Sequence, residues 1–573
     1  MLQRLRRSEA PRRILALMMA YATVLGTMPA YGGSFSRTAT PIKHLVVIFQ
    51  ENVSFDHYFG TYPNAANPKG EPAFFAAPGT PTVNGLAGAL LNSNPNSLNA
   101  GNLTGATNPF RLDRSQAATA DQGHNYGPEQ AAVHFGLMDL FPLKVGAAGP
   151  PPNAPPQIVT TKGLTMGYYD GNTVTAMWNF AQHFAMSDNS YDTVFGPSTP
   201  GLMNLVSGQT NGVTTVLNGT GSETDGGNGT LTVVGDPDPV GDTCSAPTRN
   251  QVQMGGRNIG DLLNDAGVSW GSFMGGFDLT ATNPNGTTGC FRSSTSAFTG
   301  TSADYIAHHA FFQYWATTAN PTHARPSSVS EIGHDGTANH EYDINDFFNA
   351  VKRGNFPAVS FLKAQAYQDG HAGYSDPLDE QTFIVNVINF LQKSSDWDST
   401  AVVIAYDDSD GWYDHQMGPI VNQSTSPADA LTGAGSCGDG STALPGIDSA
   451  SPHAQGRCGY GPRLPLLVIS PWAKENFVDN TVTDQTSVLR FIEDNWLNGQ
   501  RIGGGSFDSF ANPIVQMFDF KHNRDDGELF LDPTSGQPVQ ALLRIVRLSD
   551  LGIDKFDNPP PCNRHGESPS PCL

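Results

Sequence analysis

Charge is what this sequence has least of. Only 15% of its 573 residues are Asp, Glu, Lys or Arg, against about a quarter in a typical soluble chain. The basic side is the poorer, with 31 Lys and Arg against 53 Asp and Glu and a net charge of −22. That balance speaks against a general nucleic-acid binder, because phosphate backbones are held by basic surface. Cysteine is scarce too, six residues with none before Cys244. No C-x2–4-C spacing occurs among them, which disfavours a structural zinc site. Beyond residue 30 no run looks transmembrane, and no internal repeat is visible.

What is present suffices for a folded protein. Hydrophobic residues make up 38% of the chain and aromatics 10%, enough for a sizeable core. The length suits one large or two to three ordinary domains. Gly and Pro, 62 and 42 residues, predict long surface loops on an ordered scaffold.

The N-terminus, MLQRLRRSEAPRR followed by ILALMMAYATVLGTMPA, has the layout of a secretory signal. A positive stretch precedes a short apolar run and a small-residue exit near Ala30. Residues 1–30 are therefore expected to direct export, to the periplasm or beyond the cell. An exported chain with an even number of cysteines suggests disulfides. Sequential pairing, Cys244–Cys290, Cys437–Cys458 and Cys562–Cys572, closes the shortest loops.

Strand-like and helical segments alternate. KHLVVIFQ (43–50), AVVIAY (401–406) and LPLLVIS (464–470) are continuous apolar runs of the kind buried on both faces of a sheet. DPLDEQTFIVNVINFLQ predicts a helix with Asp376 as N-cap, Pro377 at its first position, and a stripe of Phe383, Val387, Phe390 and Leu391. TSVLRFIEDNW (486–496) predicts another. The expected fold is α/β, a central mostly parallel sheet with helices on both faces. Residues 41–530 would form the main domain, with insertions near 64–110 and 208–255, and 531–573 would be a C-terminal tail.

In open parallel sheets ligands bind beyond the carboxyl ends of the strands. Two of the predicted strands run straight into acidic pairs, Glu51-Asn52 and Asp407-Asp408. Together they offer hard oxygen ligands for a divalent cation, although either alone could simply cap a helix or form a turn. In FGPSTPGLMNLVSG, Ser198 and Thr199 stand before a possible helix, whose N-terminus would favour a phosphate oxyanion and a serine alkoxide. An ordinary N-cap serine would look the same. His124, His371 and the adjacent pair His308-His309 could bind phosphate oxygens or donate a proton to a leaving group. His57, His183, His340 and His415 are read as structural or supporting.

IKHLVVIFQENVSFDHYFGTYP resembles the opening signature of the bacterial phosphoesterase family that joins phospholipases C with acid phosphatase A, within the alkaline phosphatase superfamily. DQGHNYGPEQAAVHFGLMDLF, FAMSDNSYDTVFGPSTPG, the histidine pair and TAVVIAYDDSDGWYDH agree with it in order. The resemblance implies an alkaline-phosphatase-like fold and metal ligation by Glu51, Asn52, Ser198, Asp407 and Asp408, with one or more divalent ions of unknown identity. It implies Ser198 as nucleophile through a phosphoserine, and phosphate contacts from Asn52, His124, His308, His309 and His371. His309 or His308 would be the leaving-group acid.

Several positions depart from the phospholipase pattern. Val53 stands where Arg is common, Pro200-Gly201-Leu202 replaces PNR, Gln485 sits where His is frequent, and Asp408 replaces Glu. Little chain follows the catalytic motifs for the extra C-terminal β domains of larger phospholipases. The sequence expectation is thus an exported acid phosphatase acting on phosphomonoesters, the alternative a phospholipase C acting on phosphatidylcholine-like lipids with transient lipid contact. A catalytically dead binding protein is the third reading. No protein partner is expected.

Overall fold

The computed structural model describes residues 38–151, 159–438, 454–524 and 527–539. Residues 1–30, expected to direct export, and Cys562 and Cys572, expected to pair, lie outside the described residues.

Eight strands form the central sheet. In chain order they are β1 (His44–Gln50), β2 (Ala185–Ser187), β3 (Trp270–Met274), β4 (Glu341–Asp343), β5 (Val359–Lys363), β6 (Thr400–Tyr406), β7 (Leu466–Ile469) and β8 (Phe477–Asp479). Their spatial order is β4-β3-β5-β1-β6-β7-β2-β8. β1 lies at the centre, parallel to β5 (Leu45 opposite Val359) and to β6 (His44 opposite Thr400, Gln50 opposite Tyr406). Consecutive residues of β5 and β6 are all buried. Since neighbours along a strand point to opposite faces, both faces of the sheet are covered.

One expectation is refined. β7 runs antiparallel to β6 and to β2, while every other pairing in the sheet is parallel. A strand buried on both faces gives the same apolar run in either direction, so LPLLVIS carries no sign of its polarity.

Five helices matter for the site: α1 (Tyr126–Val133), α2 (Thr175–His183), α3 (Ser198–Ser207), α4 (Pro377–Leu391) and α5 (Thr486–Trp496). In α4 the Asp376 carboxylate accepts from the N–H groups of Leu378 and Asp379, with Pro377 at the first position. Phe383, Val387 and Leu391 are buried beneath it, and Phe390 is half-buried. Residues 208–255 fold largely as a separate five-stranded sheet, ordered Glu223–Asp225, Leu231–Val233, Asn211–Leu217, Gln251–Met254, Asp238–Pro239. Disulfides join Cys244 to Cys290 and Cys437 to Cys458. Among the described residues no helix is long and apolar enough to cross a membrane.

Candidate active site

The register of β1 with β6 decides the geometry. Gln50 lies opposite Tyr406, so the residues that follow, Glu51-Asn52 and Asp407-Asp408, emerge side by side from strands some 350 positions apart. Asn52 has φ of +61°, a left-handed turn that Asn tolerates better than most residues. This turn lets its N–H donate to Asp407 Oδ1 at 2.9 Å, while Val53 N–H donates to the Asp408 carbonyl at 2.9 Å. All four side chains are buried.

Ser198 begins α3. Its Oγ lies 2.9 Å from Glu51 Oε2, 3.2 Å from Asp408 Oδ2 and 3.4 Å from Asn52 Oδ1. The helix start is held from two sides. Thr199 N–H donates to Asp236 Oδ1 at 2.9 Å, and Glu129 of α1 accepts from Gly196 N–H at 3.2 Å and from Ser409 Oγ at 2.5 Å. Burial pushes the Glu129 carboxyl up to about 7. Gly201 is required by contact, since a Cβ there would lie 2.1 Å from the Asp407 carbonyl oxygen. The serine and the acidic strand ends are thus locked together by backbone contact as well as by side chains.

Histidines surround this cluster. His309 Nδ1 is 3.1 Å from Glu51 Oε1 and 3.9 Å from Asp369 Oδ2. Burial, then His308 and Lys363, hold it well below the ordinary histidine range. His308 stands edge-on to it, ring centres 4.5 Å apart, with its Nδ1 3.7 Å from Asp238 Oδ1. The His308 carbonyl accepts from Thr199 Oγ1 at 3.3 Å, which fastens the histidine turn to the first turn of α3. His124 Nδ1 is 3.0 Å from Asp410 Oδ1. Burial opposes its charge, but Asp408 and Asp410 outweigh burial and keep it protonated well above the usual range. His371, ring centre 5.8 Å from that of His124, is lowered, chiefly by burial.

The four histidines set aside all have local partners. His57 stacks on Trp412 at 3.9 Å and bonds the Gly167 carbonyl. His340 stacks on Trp270 at 4.4 Å. His415 pairs with Asp56 at 2.6 Å, beside Arg463, and His183 meets Arg524 at 3.2 Å. Gln485 turns away from the cluster: its amide donates to the Tyr406 and Asp407 carbonyls and accepts from Thr193 N–H.

Sequence reasoning missed three charged residues. Lys363, the last residue of β5, buries its ammonium against Glu51 Oε1 and lies 3.7 Å from Asp407 Oδ2. Asp410 accepts from Asn52 Nδ2 at 3.2 Å and faces His124. Asp369 faces His309, its Oδ2 3.9 Å from the ring Nδ1. Asp410 was findable as the third acid of DDSD, and Asp369 as the acid beside His371. A lysine ending an apolar strand normally marks an exit to solvent, so Lys363 gave no signal.

The donor set fits a divalent cation. Asp408 and Asp369 are raised well above the carboxylate range and Asp407 is pushed up to about 8, by burial first and then by neighbouring acids. Among the described residues Lys363, paired with Glu51 and Asp407, is the only Lys or Arg in an ion pair with this acidic cluster. Asp407 Oδ2 accepts no hydrogen bond. Crowded, buried, under-neutralised oxygen donors are what a hard metal ion requires. Glu51 and His309 with Asp369 also bring ligand atoms within 4.8 Å of one another, as do Asp121, His124 and His371.

A buried serine at a helix start, facing acids at the carboxyl end of a parallel sheet and ringed by histidines, is the layout of a hydrolase. A family model described as the Phosphoesterase family matches residues 42–497, and the chain belongs to that family. It is a hydrolase acting on phosphoric ester bonds. Over 480 residues it is 26% identical to "Phospholipase C A" of Mycobacterium tuberculosis, covering 81% of this chain and 74% of that one. It is 25% identical to "Non-hemolytic phospholipase C" of Burkholderia pseudomallei, covering 80% of this chain but 55% of the relative. A solved protein in the alkaline phosphatase superfamily from Vibrio parahaemolyticus aligns over 85% of this chain and 75% of its own, at 11% identity and a TM-score of 0.27.

Proposed function

We propose that the chain is a metal-dependent phosphodiesterase of the phospholipase C type that works through a phosphoserine on Ser198. The observation that carries the chemistry is the triple contact of Ser198 Oγ with Glu51, Asn52 and Asp408. The diester preference is supported by relatives named as phospholipases C that align over about four-fifths of the chain. Glu51, Asn52, Ser198, Asp407 and Asp408 would hold the cation, which when bound lowers the hydroxyl pKa and offsets charge on the phosphoryl oxygens.

The chain's own residues supply the rest. Glu51 and Asp408 orient the Ser198 hydroxyl and take its hydrogen bond, so the oxygen is aimed before substrate arrives. Ser198 Oγ passes its proton to the carboxylate it already faces, Glu51 or Asp408, and bonds to phosphorus as the bond to the ester oxygen breaks. Protonated His124, with Asn52, His308 and His371, binds phosphoryl oxygens. Of the paired histidines His308 suits the acid role better, because it is half-buried beside Asp238 whereas burial keeps His309 neutral. Neutral His309 orients Glu51. Water then cleaves the phosphoserine and restores the hydroxyl.

A monoesterase reading retains one specific observation. Gln485 stands where phospholipases often carry His, and its amide is spent on backbone groups behind the site. Paired assays separate the two. Purified protein given p-nitrophenylphosphorylcholine and p-nitrophenyl phosphate, each with and without chelator, should turn over the diester faster and lose activity on chelation. Faster turnover of the monoester would make the enzyme a phosphatase instead.

A further inference from the structure

A second surface lies beside the site. From Pro72 to Phe110 the chain has 39 consecutive residues without one Asp, Glu, Lys or Arg, a long neutral stretch even in a charge-poor protein. Within it Leu98 and Leu103 are 72% and 75% exposed, and on the neighbouring segment Phe135 and Leu137 are 62% and 58% exposed. The two segments are clamped together. Asn96 Nδ2 donates to the Met138 carbonyl at 2.7 Å, Asn102 Nδ2 to the Asp139 carbonyl at 2.9 Å, and Asn99 Nδ2 to Asp139 Oδ2 at 2.8 Å. Four apolar side chains therefore stand on one rim. Leu103 and Phe135 have φ of +52° and +56°, a conformation that costs energy in a bulky residue. These tips are held outward by a fixed backbone.

The charge around the rim points to the occupant. Asp139 is tied to His134 at 2.6 Å as well as to Asn99, while Lys144 and Lys162, both exposed and in no ion pair among the described residues, stand beside residues 100–105. Apolar tips flanked by lysines match a layer of acyl chains beneath phosphates, whereas a protein partner of this acidic chain would find little to specify it. The rim also borders the site. The carbonyl of Val145, the residue after Lys144, accepts from Gly123 N–H at 2.7 Å, next to His124.

We propose that this rim docks on a zwitterionic phospholipid bilayer, so that a headgroup is presented at the His124 side of the site. The proposal rests on the phospholipase C reading and gives that reading its interfacial surface. The test uses the full chain with phosphatidylcholine vesicles in a flotation assay, run with chelator so that lipid is not consumed. The parent should float with the vesicles. Leu103→Asp and Phe135→Asp should each weaken partition about tenfold or more, with turnover of soluble p-nitrophenylphosphorylcholine unchanged. Equal flotation of parent and variants overturns the proposal, as does failure of the parent to float. So does a parent dimer that the substitutions dissociate in sedimentation, because the rim would then be a self-interface. If the variants lose flotation yet the metal-loaded parent releases no diacylglycerol, the docking surface stands and the phospholipase reading falls.

Discussion

Replacing Lys363 by Met removes an ammonium set among the buried acids Glu51, Asp407 and Asp369. The lysine side chain is about 1% exposed, lies over the rings of Phe49 and Phe311 at 5.4 and 6.0 Å, and is paired with Glu51 and Asp407. Methionine keeps the stem and its packing, so the change isolates the charge. Breaking a buried pair from one side costs about 3–5 kcal/mol. The folded protein can recover part of that by protonating a carboxylate. Asp407 is already pushed up to about 8, so the folded state holds protons the unfolded chain releases, and stability falls as pH rises through that window. The loss should therefore be larger at pH 8 than at pH 5. A divalent ion at a hundred times its dissociation constant restores about 2.7 kcal/mol by linkage, and the variant should gain more from it than the parent. The assay is urea unfolding followed by fluorescence of the seven tryptophans, in chelator and with added calcium, magnesium or manganese. A loss under about 1 kcal/mol in chelator would refute the reasoning.

Four further outcomes are expected. Ser198→Ala should lower turnover by about 10^4-fold or more with an unchanged unfolding midpoint; near-normal rates would remove the nucleophile assignment. Gly201→Ala should cut activity sharply in steady-state assays, because a Cβ 2.1 Å from the Asp407 carbonyl forces the helix or the acidic turn to move. Glu341, raised to about 8 chiefly by burial, should destabilise the fold progressively from about pH 5 to pH 8; Glu341→Gln should flatten that decline in thermal unfolding. Cys244→Ser with Cys290→Ser opens a loop of sequence separation 46 and should cost about 2–4 kcal/mol in denaturant unfolding.

The elements that could be read from sequence were those whose signal is local. Asp376 and Pro377 announced α4, and α5 has the bounds its apolar stripe gave. The strand ends at Gln50 and Tyr406 pointed to the convergence of Glu51-Asn52 with Asp407-Asp408, because both pairs leave the same edge of a parallel sheet. Other features were invisible for equally physical reasons. The polarity of β7 depends on its neighbours, and the fate of Lys363 depends on which acids the sheet order brings beside it. The left-handed turn at Asn52, which aims its amide at Asp407, is a tertiary outcome that the dipeptide Glu-Asn does not encode.

The pairing of β1 with β6 carries a consequence for biogenesis. Its partners stand 356 positions apart at His44 and Thr400, and non-local pairings of that kind form late. A growing chain thus emerges with its serine already made but with half of its acids still to be synthesised. An amino-terminal fragment ending before Thr400 would lack Asp407 and Asp408 and so could not assemble the acidic cluster around Ser198.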